Sequence, residues 1–70
     1  MDKTELAKIE KFFRRTFNNA SLRIVPRPRK NDSAEVYVGE DFLGLVSLDD
    51  EDGERSYAFN MAILDIDLED

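Results

Sequence analysis

Cysteine and histidine are both absent from this chain. Without cysteine there is no disulfide and no thiolate metal site. Without histidine the commonest metal ligand is missing, and so is the usual base that activates a serine. Ser21, Ser33, Ser47 and Ser56 therefore have no imidazole to make any of them a nucleophile. Glycine is scarce, and Gly39, Gly44 and Gly53 are too dispersed for a Walker or dinucleotide pattern. No apolar run approaches the roughly 20 residues of a membrane-spanning helix. The opening Met1-Asp2-Lys3 lacks the apolar core of a secretory signal. These absences lead us to expect a soluble cytoplasmic protein with no membrane partner, no evident small-molecule ligand or cofactor, and no catalytic or metal-ligating residues.

What remains is short and heavily charged. Seventy residues make one small domain spanning residues 1–70. A chain of this size buries only about 60% of the surface it exposes when unfolded, so its stability margin is thin. With disulfides excluded, a partner chain is the available support. At 41% apolar and 37% charged, the composition is that of a folded chain and not of a disordered one. The charge is sorted: residues 1–30 hold nine cations against three carboxylates (net +6), and residues 31–70 hold Arg55 against thirteen carboxylates (net −12). Such asymmetry marks an interaction surface or an internal neutralisation of one half by the other.

Leu6, Ile9, Phe13 and Phe17 recur at helical spacing, with Phe12 at the edge of the stripe, and predict a helix over residues 3–17. Asp2 and Glu5 have the spacing of a capping box, and Asn18-Asn19 suits a helix stop. Lys8, Lys11, Arg14 and Arg15 occupy the polar side, where late cations complement the helix dipole. Strands are expected over residues 21–26, 34–38, 42–48, 55–62 and 64–68. Pro26 and Pro28 confine their segment to a sheet edge or loop, with a turn over residues 30–33. Gly39-Glu40 fits a two-residue hairpin loop with glycine first, and a three-residue loop through Asp41 is nearly as good. The two loops give opposite registers. In either, the third strand is apolar on both faces, with Phe42, Val46 and Leu48 against Leu43 and Leu45. Tyr57, Phe59, Met61 and Ile63 fall on odd positions and Leu64, Ile66 and Leu68 on even ones, so a bulge or break is expected near Ile63-Leu64. The expected fold is α+β: one N-terminal amphipathic helix packed on a four- or five-stranded, mostly antiparallel meander.

These elements bear on several chemistries. With Gly53 at the sixth position of a calcium loop, Leu48 and Phe59 would stand where carboxylate-type ligands belong, which excludes an EF-hand. Asp65 and Asp67 would lie on one side of a strand, a spacing that more commonly marks a solvated face than an acid–base pair. A nucleic-acid site would need a basic stripe with free aromatics. Arg23, Arg27, Arg29 and Lys30 with the helix's polar side could form the stripe, but the acidic half would repel phosphate. The leading expectation is a non-enzymatic module that self-associates as a homodimer or binds a protein partner, through Arg23, Arg27, Arg29, Lys30, Tyr37, Ile66 and Leu68. The alternative is a nucleic-acid-binding accessory protein that uses the helix's basic side and the Arg27, Arg29 and Lys30 arm.

The stretches RPRKNDSAEVYVGEDFLG (residues 27–44) and DDEDGERSYAFNMAILDIDLE (residues 49–69), together with a helix ending RRTF (residues 14–17), closely resemble a family of small alphaproteobacterial proteins catalogued as domain of unknown function 3126. The resemblance covers nearly the whole chain. It implies a cytoplasmic bacterial protein without an assigned activity, and it brings no catalytic or binding residues to carry over.

Overall fold

The computed structural model describes residues 1–50 and 53–69. Its first element is helix α1, Lys3–Thr16. Asp2 caps it, its Oδ1 accepting the Glu5 backbone N–H at 2.8 Å. Only this half of the expected capping box forms. The Glu5 carboxylate turns away from the helix start and instead accepts the Tyr57 hydroxyl and pairs with Arg55. The helix stops where the Asn pair predicted: Phe17 is the C-cap, and Asn18 takes a left-handed φ of 52°. Ile9 and Phe13 are buried, whereas Phe12 and Phe17 are half exposed.

Four strands follow, β1 (Leu22–Arg27), β2 (Lys30–Val38), β3 (Asp41–Asp49) and β4 (Ser56–Asn60), in the spatial order β1-β2-β3-β4 and all antiparallel. The chain is thus an α+β fold of one helix on a four-stranded meander. β1 is an edge strand, as its Pro26 requires. The first hairpin turns at Pro28-Arg29, with Arg27 paired to Lys30, so residues 30–33 belong to β2 and not to a turn. Proline's fixed φ suits the first central turn position, and a register shift between Pro26 and Arg27 absorbs the mismatch.

The second hairpin has the two-residue loop, since Val38 pairs with Asp41 and Gly39 sits at φ 60°. Neither simple register then holds along β3. Tyr37 pairs with Phe42 and Val36 with Gly44, which leaves Leu43 as the extra residue of a bulge. The bulge sends Leu43 to the helix side with Val46 and leaves Phe42 and Leu45 on the outer face. The core joins Ile9 and Phe13 to Leu22, Ile24, Ala34, Val36 and Val46, with Leu43 and Phe59 packed against it.

Two sets of side chains fasten α1 to the outer margin of β1. The Arg14 Nε donates to the Leu22 carbonyl at 2.7 Å, and the Ile24 N–H donates to Glu10 at 3.0 Å. Arg14 and Glu10 also pair with each other at 3.3 Å.

The last quarter of the chain departs from the expected strands over residues 55–62 and 64–68. β4 covers only Ser56–Asn60, residues 61–64 are irregular, and Asp65–Leu68 is a 3-10 turn. The cause is local. The Asp67 carboxylate accepts the Leu64 N–H at 2.9 Å, and the Asp67 N–H donates to the Leu64 carbonyl at 2.9 Å, closing a turn where no neighbouring strand is available. Of the acidic stretch at residues 49–54, residues 51 and 52 lie outside the described residues.

Candidate interaction surfaces

The outer face of the sheet carries a polar-aromatic ladder across three strands. Arg23, Tyr37 and Phe42 are cross-strand neighbours. The Arg23 guanidinium lies 4.9 Å from the Tyr37 ring centroid, and Tyr37 meets Phe42 edge-on at 5.6 Å. Arg23 also donates to the Gly39 carbonyl at 2.8 Å, which anchors it over the second hairpin. The Tyr37 hydroxyl donates to Glu35 at 3.1 Å, and this bond raises its pKa above the ordinary phenol value. Tyr57 is raised in the same way by its hydrogen bond to Glu5.

Arg27, Arg29 and Lys30 gather at the opposite end of the sheet, around the first hairpin. The Arg27 Nη1 donates to the buried Ser33 hydroxyl at 3.2 Å. The side chains of Arg29 and Lys30 form no ion pair with a described carboxylate. The pairs among the described residues are Arg14–Glu10 and Arg55–Glu5. The seven sequence-derived candidates thus fall into three places: Arg23 with Tyr37 on the outer face, Arg27 with Arg29 and Lys30 at one hairpin, and Ile66 with Leu68 on the C-terminal segment. The fold does not bring them into one site.

The C-terminal segment is the most apolar exposed feature. Among the described residues, nine large apolar side chains are exposed, and five of them, Met61, Ile63, Leu64, Ile66 and Leu68, lie within residues 61–68. Ile66 and Leu68 are 70% and 71% exposed. The 3-10 turn that carries them comes close to no other helix or strand.

A second feature escaped the sequence reading. An open groove of about 450 Å³ runs between α1 and β4, lined by Glu5, Lys8, Ile9, Phe12, Tyr57 and Phe59. It exists because α1 is fastened over β1 at the far side of the sheet and leaves β4 thinly covered. Phe12 at the stripe's edge was the one signal of it in the sequence. Among the described residues, no three side chains of the metal-ligating types cluster together, and no helix is long and apolar enough to cross a membrane.

These features define a small α+β domain of one helix on a four-stranded antiparallel sheet. The chain belongs to the family described as protein of unknown function (DUF3126), whose model matches residues 5–67. Neither the curated proteins nor the solved structures contain a match to it.

Proposed function

We propose that this chain is a non-catalytic protein-interaction module that self-associates through its C-terminal segment. The observation that carries this reading is the row of five exposed apolar side chains at residues 61–68, on a segment whose 3-10 turn comes close to no other helix or strand. Exposed apolar surface costs about 25 cal/mol per Å² relative to burial, and contiguous patches mark association sites. The division of the chain into a +6 half and a −12 half supports a second copy as the partner, because a two-fold contact sets one copy's basic half against the other's acidic half.

Size-exclusion chromatography with light scattering tests this. A dimer is expected, and Ile66→Lys or Leu68→Lys shifts it toward monomer. A wild-type chain that remains monomeric at high micromolar concentration overturns the reading.

One observation favours a second reading. Arg29 and Lys30 are not neutralised by any described carboxylate, which leaves them available to phosphate. Titration of labelled DNA and RNA at low salt, where phosphate contacts are strongest, detects such binding, and no binding there removes it.

A further inference from the structure

The two margins of the sheet are not alike. On β1, the Leu22 carbonyl and the Ile24 N–H are taken by Arg14 and Glu10, and Pro26 has no N–H to offer. On β4, the sequence Ser56–Asn60 holds neither proline nor charge, and among the described residues nothing bonds its outer side. Sheets usually protect such a margin with charges, prolines or a cover.

We propose that β4 pairs antiparallel with β4 of a second copy about a two-fold axis at Ala58, each copy's C-terminal segment lying against the other copy. This rests on the self-association reading and gives it a geometry. A two-fold axis normal to the sheet keeps the faces in register, so odd residues of one β4 meet odd residues of the other. Tyr57 and Phe59 point to the helix side, opposite Leu48 and Val46. Full overlap of the five-residue strand then requires Ala58 to meet Ala58 and Tyr57 to meet Phe59 of the second copy.

One further observation fits that register. The α1–β4 groove lies beside the open margin, so two grooves merge over the joint and their aromatic walls cover each other. A specific interface needs about 800 Å² per partner, more than two short strands supply, so this pairing also requires the exposed side chains of residues 61–68 to be buried in the dimer.

Ala58 is exposed and pairs with Ser47 on the outer face, so a charged residue there disturbs no core contact. In this register, however, Ala58→Lys sets two ammonium groups directly opposite each other. The same chain with Ala58→Glu opposes two carboxylates. Light scattering and sedimentation should show each variant folded by circular dichroism and at least roughly tenfold weaker in dimerisation, because opposed like charges are strongly disfavoured. An equimolar mixture of the two should recover the wild-type dimer as a Lys–Glu heterodimer. If both variants dimerise like wild type, or the mixture fails to recover, the β4 pairing is wrong while self-association stands. A monomeric wild type overturns both.

Discussion

Tyr37 and Tyr57 are the chain's two tyrosines, and each donates its phenol proton to a carboxylate, Glu35 or Glu5. The donated hydrogen bond is the leading cause of each raised pKa, followed by desolvation and repulsion from the same carboxylate, against opposing Arg23 or Arg55. A pKa raised in the folded state contributes stability that is fully present below the unfolded value, about 10 for a phenol, and lost as pH rises through the folded value. Spectrophotometric titration of phenolate absorbance should therefore give a midpoint above that of the urea-unfolded chain for both rings. Glu5→Gln should bring only Tyr57 back toward the ordinary value, and the stability this hydrogen bond gives the wild-type chain should be lost as pH rises through the folded value. A native curve superimposable on the unfolded one would contradict the two hydrogen bonds.

Among the elements, β3 depends most on a single small residue. Gly44 stands at the bulge, and a Cβ there would lie 2.2 Å from the Asn60 carbonyl oxygen and 3.0 Å from the Met61 Cα. Both obstacles are backbone, so β4 would have to move away. Overpacking of this kind costs typically 1–3 kcal/mol, and Gly44→Ala should lower the urea midpoint accordingly, whereas Gly39→Ala should act through its positive φ alone. The same strand marks the boundary of what the sequence discloses. The helix, its Asp2 cap and its Asn18 stop were legible because their signals are local. So was the edge position of β1, because proline lacks a donor. The bulge at Leu43 was not, since period-2 patterning assumes one register throughout and both simple registers fit equally. The end of the chain was misread as strand because alternation of apolar and acidic residues suits an extended segment. The Asp67 carboxylate instead closes a turn, a choice that depends on the absence of a neighbouring strand. Of the candidate surfaces, the greasy C-terminal segment could be foreseen from composition. The α1–β4 groove could not, because it follows from where Glu10 and Arg14 fasten the helix, a tertiary contact without a sequence pattern.

At the scale of the molecule, the chain is long for its length in residues. Its radius of gyration is 13.0 Å and its extents are 44 × 23 × 23 Å, against about 11 Å expected for a compact globule of this size. The excess accords with a C-terminal 3-10 turn that comes close to no other helix or strand. If that segment is covered by a second copy, folding and association are linked, and the melting temperature should rise with protein concentration. Differential scanning fluorimetry from low to high micromolar protein checks this, and Leu68→Lys should flatten the dependence. A wild-type melting temperature independent of concentration would argue against the linkage.

The contrast between the two sides of the sheet also sets a limit on growth. A ribbon with two receptive borders could add subunits indefinitely and end as a fibre. Here Pro26, Glu10 and Arg14 close one border, so whatever joins through the other has nowhere left to extend. Replacing Pro26 would remove a stopper, and the hazard it guards against is polymerisation.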